Sequence, residues 1–234
     1  MLQRLAFLRM FLLLALSVTA IFVLGYLGEQ ILESRQHQMV QSMARLVDHY
    51  LDQAGRSLDA VGCVTEIAPS GNMEFMQGVW QAYGYFDTLY YLDTSSKIKV
   101  LIPPNPRYLG LDMSNLPNFK QIGEKKNLTI SRPFISLRTG NPTVYLVRRL
   151  SRGGLVMGEL NLGSLQDEIT RGKERSDQEM VFILDQFGML LAHPAFVLVK
   201  QQTNQGHLKI FRCGLGGDVT LVYRYNGRMV LEAV

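Results

Sequence analysis

Few side chains in this 234-residue sequence stand where they could do chemistry together. The four histidines, His37, His49, His193 and His207, have no metal-ligand spacing to one another, to cysteine or to a carboxylate. Asp48 adjoins His49, but neighbouring side chains on a helix diverge. No metal site is expected. Ser131, Ser136 and Ser164 sit in no nucleophile elbow. No two carboxylates can be argued to face each other across a substrate, so no catalytic residue is assigned and no cofactor is expected. Gly153-Gly154 with Gly158 reads as a hairpin turn followed by a close-packed strand, because no helix start follows as a phosphate loop requires. Gly216-Gly217-Asp218 runs into Val219-Thr220 and lacks the flanks of a cyclase signature. Asn127-Leu128-Thr129 is a glycosylation sequon, which matters only in a eukaryotic secretory pathway.

Ligand binding is the chemistry that remains. Tyr91, Arg107, Tyr108, Asn118, Phe119, Ser131 and Arg132 are the candidate pocket residues, being aromatic and polar types that fix small molecules. The guanidinium fork of Arg107 or Arg132 would suit a carboxylate. The plainer alternative keeps Tyr91 and Phe119 in the core and both arginines in solvent. A formal charge of +4 is scattered over short, interrupted basic stretches, which excludes the clustered stripe that nucleic acid requires. Cys63 and Cys213 belong to no CxxC pattern. They read as separate thiols, with pairing open if the domain lies outside the cytoplasm.

The elements that must position these residues begin with Met10 to Leu27, an uncharged apolar run. At 1.5 Å per residue it covers about 27 Å, close to a bilayer's hydrocarbon thickness. Arg4 and Arg9 before it and Glu29 and Glu33 after it place the N-terminus in the cytoplasm, with residues 28–234 in the periplasm or outside. The expectation is an uncleaved anchor in the inner membrane. Leu32, Met39, Met43, Leu46, Tyr50, Ala54, Leu58 and Val61 then recur at helical spacing, predicting a long amphipathic helix able to pack on its own domain or on a second copy. Strand signals follow at Phe86 to Leu92, Ile98 to Ile102, Asn127 to Ser136, Thr143 to Leu150 and Leu155 to Leu162, joined by polar and glycine turns. Ser164 to Thr170 predicts a short helix capped by Ser164. After the charged linker Arg171 to Asp177, Met180 to Asp185 and Met189 to Ala192 mirror the earlier order of strand, Leu-Asp, turn and strand. This is a weak internal repeat at an offset of about 92 residues. Val219 to Tyr225 and Arg228 to Val234 read as a hairpin around Asn226-Gly227.

In Ile130 to Leu165 (ISRPFISLRTGNPTVYLVRRLSRGGLVMGELNLGSL) and Val181 to Pro194 (VFILDQFGMLLAHP), the order of features resembles the double Cache, or tandem PAS-like, sensor family. The resemblance covers roughly residues 28–234. It implies an α+β architecture: an N-terminal transmembrane helix and long amphipathic helix, then two tandem PAS-like modules with antiparallel sheets, the second incomplete. The boundaries expected are 1–27 anchor, 28–62 stalk helix, 63–170 membrane-distal module, 171–179 linker and 180–234 truncated membrane-proximal module. It also implies a small-ligand sensing region of a bacterial transmembrane receptor, homodimeric through the long helix. A histidine kinase, diguanylate cyclase or chemoreceptor output would lie beyond Val234. Where the amino-acid-sensing branch carries Arg-x-Trp-Tyr, this chain has Leu116-Pro117-Asn118-Phe119, and Ile135-Ser136 follows the Pro-aromatic step; the ligand is left unspecified. The alternative is a membrane-anchored extracytoplasmic interaction module with no small ligand.

Overall fold

A computed structural model describes residues 2–68, 72–116, 119, 128–171, 182–208, 211–212, 220–225 and 228–233. The chain divides into two compact units, one of Arg45–Leu208 and the other of Met1–Ala44 with Lys209–Val234. The first element, α1 (Leu2–Ile67), is one continuous helix of 66 residues, joining the two helical stretches expected from sequence. No proline occurs before Pro69, so nothing in the sequence breaks its hydrogen-bond ladder.

Within the unit of two segments, every side chain from Leu14 to Gly28 is exposed, with Ile21, Phe22 and Leu24 at 69%, 77% and 70%. Among the described residues no helix is long and apolar enough to cross a membrane. The same unit holds the antiparallel hairpin of β10 (Thr220–Tyr225) and β11 (Arg228–Ala233), in register from Tyr225↔Arg228 to Thr220↔Ala233. That is the expected hairpin; its turn residues lie outside the described set.

The unit Arg45–Leu208 is built on a five-stranded antiparallel sheet. In chain order its strands are β1 (Phe86–Leu92), β2 (Ile98–Ile102), β3 (Thr129–Ile130), β6 (Tyr145–Arg149) and β7 (Leu155–Leu160), arranged in space as β2-β1-β7-β6-β3. Two short strands, β4 (Phe134–Ile135) and β5 (Pro142–Thr143), pair with each other alongside. All six residues of β7 are buried, as a strand flanked and covered on both faces must be. Residues paired across the ladder share a face. The register therefore sets Thr88, Tyr90, Leu92, Tyr145, Val147, Leu155, Met157 and Glu159 on one face, and Leu89, Tyr91, Leu146, Arg148, Val156 and Gly158 on the other.

Helix α1 packs on the sheet through a stripe of buried residues, Tyr50, Ala54, Leu58, Val61 and Thr65, at spacings of three and four. Polar ties fix it there. The Tyr50 hydroxyl donates to the Asn161 carbonyl at 3.0 Å. The Arg148 guanidinium donates to the Asp59 carbonyl and pairs with its carboxylate at 3.3 Å. The Ser151 amide donates to Glu66 Oε1 at 2.5 Å, which holds that carboxyl below its ordinary range. Tyr50→Phe should lose the net worth of one hydrogen bond, about 1 kcal/mol. In a thermal melt that is a fall of roughly 2–4 °C for a domain of this size.

A second helix, α2 (Asn72–Tyr83), buries Met76 and Val79 and was not anticipated from the sequence. The stretch read as one strand from Asn127 to Ser136 is broken into β3 and β4, with Ser131 to Pro133 between them. Helix α3 (Leu162–Arg171) is capped by Asn161 rather than Ser164, since the Asn161 Oδ1 accepts from the Ser164 amide at 2.9 Å.

The two turns of the internal repeat share their hydrogen bonding. At the β1–β2 turn the Asp93 Oδ1 accepts from the amides of Ser95 and Lys97. At the turn between β8 (Ile183–Leu184) and β9 (Leu190–Ala192), the Asp185 Oδ1 accepts from Phe187 and Met189 in the same way. Lys97 bridges to Asp112 and Met189 to Asn204, so all three pairs keep one offset, 185 − 93 = 189 − 97 = 204 − 112 = 92. A short helix, α4 (Phe196–Lys200), follows β9.

Candidate ligand-binding face

One charged side chain lies in the interior of the sheet. Glu159 on β7 is 2% exposed, on the same face as Tyr90 and Tyr145. Its Oε1 accepts from the Tyr90 hydroxyl and its Oε2 from the Ser136 hydroxyl, each at 2.8 Å. Strand β1 places Tyr90, and the turn after β4 places Ser136, whose oxygen also accepts from the amides of Arg138 and Thr139. Arg138 donates from Nη1 to the Pro103 carbonyl at 2.7 Å, which brings a positive charge near the carboxylate.

Burial is the largest influence on Glu159 and pushes its carboxyl above the ordinary range. The Ser136 and Tyr90 hydroxyls and the Arg138 charge act the other way. Burial raises the phenols of Tyr90 and Tyr145 as well, with the Glu159 charge adding to the effect. Asp87 is pushed up to about 6, first by burial and then by Glu159. A carboxylate this perturbed, set among aromatic rings, is where a functional site is sought.

Around it, Phe134 leans on Tyr145 with centroids 4.3 Å apart, and Tyr145 meets Tyr90 edge to face at 6.4 Å. Tyr108, Leu116, Phe119 and Phe134 pack half-buried over the same cluster. The face sets one buried carboxylate beside a wall of aromatic rings.

The sequence candidates fall unevenly on this face. Tyr108 and Phe119 pack against it. Tyr91 pairs with Val156 and so points to the opposite face. Ser131 is 8% exposed and committed to the backbone, its hydroxyl donating to the Arg132 carbonyl and accepting from the Tyr145 amide. Arg107 is exposed on a 3-10 turn whose cap is Asn105. Arg132 lies with its guanidinium carbon 3.9 Å over the Phe187 ring. Asn118 lies outside the described residues. Sequence reasoning missed Glu159, Ser136 and Arg138 as a set. The available signal was Glu159 itself, a lone charge in the apolar strand Leu155–Leu160, two residues from Met157 and thus on its face.

Cys63 is an exposed free thiol, while Cys213 lies outside the described set. Among the described residues no group of His, Cys, Asp or Glu could hold a metal ion.

No family model matches the sequence, and no curated relative matches it. Solved structures do. The extracellular domain of the histidine kinase rpHK1S-Z16 superposes with a TM-score of 0.69 at 18% identity, over 86% of each chain. The ligand-binding domain of the Pseudomonas fluorescens chemoreceptor CtaA, in complex with L-alanine, gives 0.67 at 17% identity, over 86% of this chain and 88% of that one. An extracellular ligand binding receptor from Desulfohalobium retbaense gives 0.66 at 13% identity over 84% of this chain, which spans only 37% of that receptor's. The chain therefore has the Cache-type fold of the extracellular ligand-binding domains of chemoreceptors and histidine kinases.

Proposed function

We propose that this chain is the extracytoplasmic small-ligand sensing region of a bacterial transmembrane signalling receptor, and that its ligand carries an ammonium group held by Glu159. The observation that carries the reading is Glu159 itself, a buried carboxylate ringed by Tyr90, Tyr145 and Phe134 on one sheet face. Its charge costs several kcal/mol to bury, a penalty that a cationic ligand group relieves. Structural neighbours are complexes with L-alanine, L-glutamine and 4-methylisoleucine, each an amine-bearing small molecule. The acidic group at this face, with Arg107 in solvent and Arg132 over Phe187, favours an amine over the simple carboxylate that the sequence suggested.

The proposed anchor is residues 10–27, of which the side chains described, from Leu14 on, make a stretch shorter than a full span. An apolar helix surface exposed all round from Leu14 to Leu27 supports it, since such a surface is stable in lipid. The distal module is residues 63–170 and the proximal one begins near residue 180, supported by the 92-residue offset of the Asp93 and Asp185 turns. Dimerisation uses the long helix. An open groove of about 810 Å³ between α1 and α2, lined by Arg56, Ala60, Glu74 and Gly78, offers a second copy both a basic and an acidic group.

The test is a melting screen of the full chain in maltoside micelles against amines, amino acids, carboxylates and sugars. A true ligand at about 100 times its dissociation constant should stabilise by roughly 2.7 kcal/mol, a rise of about 5–10 °C. If only carboxylates lacking an amine shift the melt, Glu159 is not the recognition group. A second reading has one observation in its favour, that both Glu159 oxygens already have internal donors. It makes the chain an interaction module, and a screen in which nothing shifts the melt would establish it in place of the first.

A further inference from the structure

A second concavity, of about 370 Å³, sits where three elements meet. Leu46, His49 and Tyr50 of α1 form one side, Tyr83 at the end of α2 with Tyr85 just beyond it another, and Ser164 of α3 the third. That volume falls at the lower end of the range for small-ligand sites, about 300–1,000 Å³. It shares no lining residue with the Glu159 face.

Its walls are aromatic. Tyr50 and Tyr85 meet edge to face, centroids 5.2 Å apart at 87°. Tyr83 and Tyr85 are parallel within 7°, centroids 6.0 Å apart. Gly84, at φ +64°, turns the chain between them and lets rings two residues apart stand side by side. The cage is braced from behind. The Tyr50 hydroxyl donates to the Asn161 carbonyl at 3.0 Å, and the Asn161 amide donates to the Tyr85 carbonyl at 2.8 Å. Tyr50 is 6% exposed and Tyr83 58%, so one ring is a fixed floor and the other an open rim.

The lining contains no Asp, Glu, Lys or Arg, and His49 is its one imidazole, too few nitrogen ligands for a metal. A divalent metal or a primary ammonium would find no carboxylate to replace its hydration, and an anion would find no lysine or arginine. Ring faces and carbonyl oxygens carry only partial negative charge. That combination suits a cation too bulky to be strongly hydrated, one that gains from several ring faces at once and needs no hydrogen-bond acceptor.

We propose that Tyr50, Tyr83 and Tyr85 form a cage for a small quaternary ammonium cation. The site lies at the joint where α1 is tied through Asn161 to the end of β7 and the start of α3, so its occupancy would stiffen that joint.

Calorimetric titration of the full chain in maltoside micelles with tetramethylammonium chloride tests this, with tert-butanol as the neutral probe of similar size. Saturable binding near 1 mM is expected for the cation, and at least tenfold weaker binding for the alcohol. Tyr83→Phe should keep the affinity within about twofold because it keeps the ring, whereas Tyr83→Ala should weaken it about fivefold or more. The exposed position of Tyr83 leaves the fold intact in both variants, which circular dichroism verifies. Equal affinity for the two probes, no saturation by about 50 mM, or a Tyr83→Ala variant that binds as the parent does would each overturn the proposal.

Discussion

Glu159→Gln should leave the unit Arg45–Leu208 at least as stable as the parent at neutral pH, while Glu159→Ala should lose about 2–4 kcal/mol. The difference lies in what each change does to Tyr90 and Ser136. Glutamine keeps the volume and gives both hydroxyls a hydrogen-bonding partner, while removing a buried charge. Alanine leaves a cavity and two buried hydroxyls without their shared acceptor.

The pH dependence follows from the same residue. Burial raises the folded-state Glu159 carboxyl above its unfolded value, so folding favours the protonated form. Its contribution to stability is fully present below the unfolded value and is lost as pH rises through the folded one. Asp87 acts with the same sign, between its ordinary value of 3.8 and about 6. The parent should therefore gain melting temperature relative to Glu159→Gln as pH falls from neutral toward 5. Parallel melting curves for the two proteins across that range would show that Glu159 does not carry the penalty assigned to it. In the ligand screen both variants should lose the amine-dependent shift, Glu159→Gln while remaining folded.

Gly154→Ala carries the other large expected effect. Gly154 has φ +83°, and a Cβ there would stand 2.5 Å from the Leu92 carbonyl oxygen, a backbone atom that cannot turn aside. Left-handed strain costs about 1–2 kcal/mol, and the clash must be relieved by moving β1 or β7 at the centre of the sheet. A loss of about 3–4 kcal/mol is expected, a large part of the stability of an ordinary domain. Gly153→Ala is the control. Its φ of +88° is also positive, but its Cβ would meet only the Thr94 methyl, at 2.7 Å, and that side chain can rotate. It should cost about 1–2 kcal/mol. Chemical denaturation of the two variants measures the gap, and equal losses would mean that the turn, rather than the contact with Leu92, sets the cost.

Much of this was legible because local chemistry and tertiary structure agree. Gly153-Gly154 with Gly158 reads as a turn and a close-packed strand. Gly158 indeed lies against Phe86, where a Cβ would come within 2.3 Å of the ring. The Leu-Asp turns of the repeat were visible because an aspartate accepting two following amides is a local device. The stripe on α1 was visible from Tyr50 to Val61 because burial there follows the helical period.

What escaped depends on contacts distant in sequence. Helix α2 buries only Met76 and Val79 among its apolar residues and exposes Met73, Phe75 and Tyr83, so its pattern is faint. Tyr91 is aromatic and central in its strand, which suggests a place with the ligand, but the pleat sends it to the other face, and Tyr90 takes that place. Glu159 gains its meaning only when β1 and the turn after β4 bring Tyr90 and Ser136 to it, 69 and 23 residues away along the chain.

The sheet order β2-β1-β7-β6-β3 has a further consequence, for the timing of backbone opening. Strand β7 is hydrogen-bonded to a neighbour on each side and buried along its whole length, whereas β3 is a two-residue edge. Amide protons in the middle of β7 can meet solvent only when the unit as a whole comes apart, while those at the edge are released by local fraying. Deuterium uptake at Val156 and Met157 is therefore a clock for global unfolding. Because Glu159 sits on the same strand, anything that binds it only in the folded unit slows that clock by a factor of one plus the ratio of its free concentration to its Kd.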